Sequence, residues 1–125
     1  MSEPTTIDGY HAHVYFDGDS RPRAAALRDK VIATLPVECR DLADAPRGPH
    51  PAPQFRFSFT AAQFAEIVPW LMLNRAGLDV LVHPLTHNSH ADHSDYAIWL
   101  GAPKELRVRG MRGEYRAEQY PTAAG

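Results

Sequence analysis

Between Tyr10 and Phe16 the side chains alternate strictly: Tyr10, Ala12, Val14 and Phe16 fall on one side, His11, His13 and Tyr15 on the other. A period of two belongs to a strand with one face buried. The pattern returns in Gln54 to Thr60, where Phe55, Phe57 and Phe59 oppose Gln54, Arg56 and Ser58. A third strand is expected over Asp79 to His83, with Val80 and Val82 on one face and Leu81 and His83 on the other. Pro84, which has no N–H to give a ladder, marks its end.

Helical spacing fills the intervals. Ala24, Leu27, Val31 and Leu35 recur at threes and fours within Arg21 to Leu35, with Pro22 near the start and Pro36 just past the end. A second helix is expected from Thr60 or Ala61 to Ala76 on the stripe Phe64, Ile67, Val68, Leu71 and Met72, with Thr60 as N-cap and Gly77 as stop. Pro69 should kink or divide it. Val37 to Leu42 is a weak strand, Ala43 to Pro53 a turn-rich loop, and Tyr96 to Leu100 an added fifth strand.

Strand, helix, strand, strand, helix, strand is the order of an α+β, ferredoxin-like split βαβ sandwich: an antiparallel sheet with two helices on one face. Here it carries an added C-terminal strand, and residues 1–125 form one domain. In that topology the first and third strands are central neighbours and the fourth pairs with the first. The apolar face must meet the helices, so the opposite face collects His11, His13, Tyr15, Gln54, Arg56, Ser58 and His83. Trp99, Ile98 and Leu81 should add apolar surface beside this polar face. Such a face is expected to be covered by a second copy, making a homodimer, or by the segment after Gly110.

Charge narrows the function classes. Thirteen Lys plus Arg against fifteen Asp plus Glu give a net charge of −2, which argues against nucleic acid as a partner. The basic cluster Arg107, Arg109, Arg112 and Arg116 is interleaved with Glu105, Glu114 and Glu118 and reads as a solvated surface. No apolar run approaches the roughly 20 residues of a membrane span, and the N-terminus does not resemble a signal peptide. A cytoplasmic location is expected, and the lone Cys39 suits a reducing compartment. No Gly-x-Ser-x-Gly turn or phosphate-binding glycine loop occurs.

Seven histidines are the informative residues. His11 and His13, two apart on one strand, project to the same side and can reach one ion, with His83 on the adjacent strand supplying a third nitrogen. His50, held between Pro49 and Pro51, and His93 beside Asp92 are the substitutes should one of these point away. Asp79 and Asp92 are candidate carboxylates, Asp92 also as an acceptor that fixes a tautomer. His87 and His90 read as solvated residues of a polar loop. The competing reading is a metal-free ferredoxin-like dimer whose cavity binds a small aromatic ligand through these imidazoles.

Taken together, Tyr10-His-Ala-His-Val-Tyr-Phe-Asp17, Gly48-Pro-His-Pro51, the strand Gln54 to Phe59, Val82-His-Pro-Leu-Thr86 and Asp92-His93 leading into Trp99-Leu-Gly101 resemble the DOPA 4,5-dioxygenase family. The resemblance covers Tyr10 to Gly101. It implies a ferredoxin-like, usually dimeric protein in which Fe(II) and dioxygen open the ring of a small catechol substrate at an extradiol position, with zinc able to replace iron in purified protein. His11, His13, His50, His83 and His93 match the family's histidine positions. The resemblance does not divide these five between ligands and acid or base; the strand spacing makes His11, His13 and His83 the metal ligands. His50, with His93 second, acts as acid and base near the ordinary imidazole pKa of about 6.5. Tyr15 and Arg56 position the substrate.

Overall fold

The computed structural model describes residues 5–111 and 115–121. Its elements in chain order are β1 (Tyr10–Tyr15), α1 (Arg21–Thr34), β2 (Glu38–Cys39), β3 (Gln54–Phe59), α2 (Phe64–Asn74), β4 (Val80–Pro84), α3 (Ser89–Asp92) and β5 (Ile98–Leu100). Single 3-10 turns occupy Ala61–Gln63 and Ala117–Gln119. The strands form one antiparallel sheet in the order β2-β3-β1-β4-β5. This is the expected split βαβ arrangement with the added strand beside β4.

Alternation decides the layering. Ala12, Val14, Phe55, Phe57, Phe59, Val80 and Val82 are buried against Ala24, Leu27 and Val31 of α1 and Ile67, Val68 and Leu71 of α2. Truncating one of these phenylalanines to Ala would cost about 3–5 kcal/mol, because the cavity left behind closes only partly. The register then fixes the other face: His11 stands opposite both Ser58 and His83, His13 opposite Arg56 and Leu81, and Tyr15 opposite Gln54.

Several local expectations are revised. α2 runs through Pro69 without a break. Pro69 and Ala65, whose carbonyl loses its N–H partner there, both lie on the exposed side, where water can take that bond. Met72 falls outside the buried stripe and is exposed. β2 is only two residues long, since Pro46, Pro49, Pro51 and Pro53 deprive the following stretch of ladder donors. β4 includes Pro84, paired with Tyr10 at the strand's last position. The polar loop contains a one-turn helix, α3, whose N-cap Asn88 side chain accepts from the Ala91 amide.

Neither Leu81 nor Ile98 adds apolar surface to the polar face. Leu81 is fully buried, and Ile98 pairs with Val82 and so points to the helix side. Trp99 alone borders the polar side, stacked on Tyr15 with ring centroids 5.8 Å apart. The segment 115–121 covers part of the histidine face: the Gln119 carbonyl accepts from His11 Nε2. Tyr115 donates to Asp92 Oδ2 at 2.5 Å. Arg112 and Glu114 lie outside the described residues. Among those described, no helix is long and apolar enough to cross a membrane.

Candidate active site

Three strands and two loops bring five imidazoles together. His11 and His13 come from β1 and His83 from β4, His50 from the proline-held loop before β3, and His93 from the end of α3. All five are buried. Ring centroids are 4.0 Å apart for His13 and His50, 3.9 Å for His83 and His93, and 5.1 Å for His11 and His83. Two overlapping triads, His11, His13, His83 and His13, His50, His93, each offer ligand nitrogens within 4.8 Å of one another. His13 belongs to both.

The outward nitrogens set the inward ones. His13 Nδ1 donates to Gln54 Oε1 at 2.9 Å, His83 Nδ1 to the Pro84 carbonyl at 2.9 Å, and His93 Nδ1 to the Ser89 carbonyl at 2.7 Å. An acceptor on Nδ1 fixes the proton there and leaves Nε2 a bare lone pair, the state a metal requires. The Nε2 atoms of His13 and His83 then face each other at 3.1 Å. Two lone pairs at that separation repel unless a cation lies between them. Two imidazoles bound at roughly 2.1 Å to one ion and at right angles stand about 3 Å apart, so the donor set fits a metal.

His50 is held differently. Its Nδ1 meets the Tyr15 hydroxyl at 2.6 Å, a group that both donates and accepts and so serves either tautomer. Tyr15 is buried, stacked on Trp99, with the Lys104 ammonium 5.5 Å from its ring centre. It was expected beside the substrate. It does not line the histidine cavity and reaches that space only through His50.

Asp92 and Asp79 join neither triad. Asp92 is fully buried and accepts from the Thr86 amide at 2.9 Å, from the Thr86 hydroxyl and from Tyr115. It therefore ties α3 to the segment just after β4 and to the tail, and the tautomer-fixing acceptors are Gln54 and two carbonyls instead. Asp79 accepts from the Ala102 amide and Lys104. His90 is exposed on α3, and His87 Nε2 lies 2.6 Å from Asp8 Oδ2, outside the triads. Burial also pushes the Cys39 thiol up to about 11, away from nucleophilic use.

Electrostatics keep the imidazoles neutral. Burial and the nearby Arg56 guanidinium push His11 down to about 3, and burial, His93 and Arg56 push His50 to about 3. Burial and neighbouring histidines hold His13 and His83 well below the usual range, and burial lowers His93. The expectation that His50 would titrate near 6.5 is thus corrected for the metal-free fold, because a buried imidazolium beside a guanidinium lacks both water and a counter-charge.

A cavity of about 690 Å³ opens against His11, His13, His50 and His93. Arg56 lines it, with its Nε buried and hydrogen-bonded to none of the described residues. Arg40, Arg47 and Arg116 line it too. Sequence patterning does not mark these three: Arg40 sits in a weak strand, Arg47 in the turn-rich loop, and Arg116 in a cluster interleaved with acids.

Residues 10–110 match the model of the Dopa 4,5-dioxygenase family. The chain belongs to this family. A DOPA 4,5-dioxygenase of Amanita muscaria is 30% identical over 93% of this chain and 56% of its own length. An uncharacterized 21.2 kDa protein of Botryotinia fuckeliana is 42% identical over 45% of this chain and 35% of its own. This Dopa 4,5-dioxygenase family member thus spans about half the length, or less, of the curated relatives it matches. A solved structure from Nostoc punctiforme, described as a dioxygenase candidate, is 48% identical with a TM-score of 0.79, covering 82% of this chain and 89% of that one.

Proposed function

We propose that the protein is a non-haem iron extradiol dioxygenase that opens the ring of DOPA or a related catechol with dioxygen. The observation that carries this reading is the His13–His83 pair, two Nε2 lone pairs 3.1 Å apart with both Nδ1 protons committed elsewhere. Family membership supports the reaction class. His11, His13 and His83 would hold Fe(II), which when bound supplies the electronic link between a catechol and dioxygen.

The chain's own residues orient the substrate and move its protons. His50, neutral at ordinary pH, accepts the proton of a catechol hydroxyl; the arriving negative charge raises its basicity, and the imidazolium so formed later returns the proton. Tyr15 acts through His50 as a positioning residue, since its hydroxyl can stay bonded to Nδ1 in both states. His93, facing the same cavity, is the second candidate for proton transfer. Arg56 offers its guanidinium to the carboxylate of the substrate. The Gln119 segment covers His11 and limits water.

A homodimer belongs to the same proposal. Support comes from the exposed Ile7, Tyr96 and Ile98, and sedimentation at micromolar concentration tests it. A cytoplasmic setting is also proposed, where ferrous ion and the free Cys39 thiol stay reduced. The deciding assay loads the protein with ferrous ion without oxygen, adds DOPA and then air. A yellow ring-opened product is expected. Failure across several catechols would leave a metal-free aromatic binder as the better account.

A further inference from the structure

The cavity beside the histidines has an uneven charge. Arg40, Arg47, Arg56 and Arg116 line it, against the carboxylates Asp41 and Glu118. Both carboxylates are already engaged and wet. Asp41 accepts from Arg28 at 2.9 Å with its side chain 96% exposed, and Glu118 lies 3.3 Å from Arg116 at the exposed rim. Arg56 differs from the other three. It stands on β3 directly opposite His13 and is only partly exposed, and its Nε is buried with no acceptor among the described residues. A buried N–H is normally satisfied in a folded protein. The side chain lines the cavity, so a ligand there can meet guanidinium donors that none of the described residues engages.

We propose that this arginine end is a carboxylate subsite, and that the substrate class is a catechol acid with a short carboxylate-ended side chain and no amine. The proposal rests on the ring-cleaving reading for the catechol part and on the arginines for the rest. A guanidinium presents paired N–H donors that match a carboxylate, and charge-assisted bonds of this kind are the strong ones. An ammonium beside Arg56 would meet like charge and, among the described residues that line the cavity, no buried carboxylate, so an amine is disfavoured by repulsion as well as by lack of a partner. Because Arg56 and His13 are paired across adjacent strands, the carboxylate must lie within about one side-chain length of the imidazoles, which keeps the linking chain short.

Calorimetry on the whole purified protein under argon tests this with 3,4-dihydroxyphenylpropionate, DOPA and dopamine, three ligands that share the ring and differ in charge. The propionate is expected to bind about tenfold more tightly than DOPA and about a hundredfold more tightly than dopamine, the scale of a charge-assisted bond gained or lost. Arg56→Gln should shrink that preference to about threefold or less, and Arg56→Lys should keep part of it. Dopamine binding as well as the propionate to the unsubstituted protein overturns the proposal without need of any variant, as does full preference retained in Arg56→Gln. Ring opening is scored separately. Acid preference without a yellow product after iron and air keeps the subsite and sinks the ring-cleaving reading. A product formed as readily from dopamine as from the propionate does the reverse.

Discussion

His13 Nε2 and His83 Nε2 lie 3.1 Å apart, and each ring has its other nitrogen bonded to an oxygen acceptor, Gln54 Oε1 for His13 and the Pro84 carbonyl for His83. Neutral rings so arranged turn two lone pairs toward each other, and an ion that accepts both satisfies them together. Because His13 is common to both triads, its loss disables either metal position.

His13→Ala should therefore drop the iron content of reconstituted protein from near one equivalent to a small fraction. His90→Ala, which alters an exposed residue outside the triads, should not. Elemental analysis of the two variants side by side is the check. Full occupancy in His13→Ala would remove that histidine from the ligand set.

The Tyr15–His50 contact of 2.6 Å separates proton transfer from metal binding. His50→Gln should keep iron and bind catechol while kcat falls by about two to four orders of magnitude. Tyr15→Phe should keep iron and lower kcat by about tenfold to a hundredfold, with a changed pH profile, because His50 loses the group that steadies both tautomers. Iron loss in His50→Gln would instead move His50 among the ligands.

Five buried imidazoles make the metal-free protein sensitive to mild acid. His11 and His50 are held down to about 3, and the other three are also lowered, whereas in the unfolded chain each titrates near 6.5. Below that value the unfolded chain binds more protons, so the stability present above about pH 6.5 is lost as pH falls. Each histidine that stays neutral removes about 1.4 kcal/mol per pH unit in that window. Thermal scans should show Tm steady from pH 7 to about 8 and falling steeply from pH 7 to 5. A Tm unchanged down to pH 5 would contradict the neutral cluster.

Tyr115 joins the tail to buried Asp92. Tyr115→Phe leaves one carboxylate oxygen with the Thr86 amide alone and should cost about 1–3 kcal/mol. Loosening of the same contact should speed tryptic cleavage at exposed Arg116, read by mass spectrometry against time. Cleavage at an unchanged rate would mean that Tyr115 does not anchor the segment.

By itself the sequence determined the sheet and its two faces. The alternation in β1 and β3 is a local pattern, and a period of two leaves no freedom over which side His11, His13 and Arg56 share once Val14 and Phe57 are buried. The added strand was legible in the apolar run Tyr96 to Leu100, and the gathering of His11, His13 and His83 followed from the split βαβ order. Tertiary structure alone decided what each imidazole is bonded to. Gln54 reaches His13 and Tyr15 reaches His50 only through strand register and the path of a proline-rich loop, neither of which has a periodicity to read. Arg40, Arg47 and Arg116 were hidden for the same reason: they are far from Arg56 in the chain or in irregular segments, and only the path of the loop and the tail over the sheet brings them beside it. Hydrophobic patterning specifies which faces are buried, but polar partners in irregular segments are chosen by geometry that exists only after the core has formed.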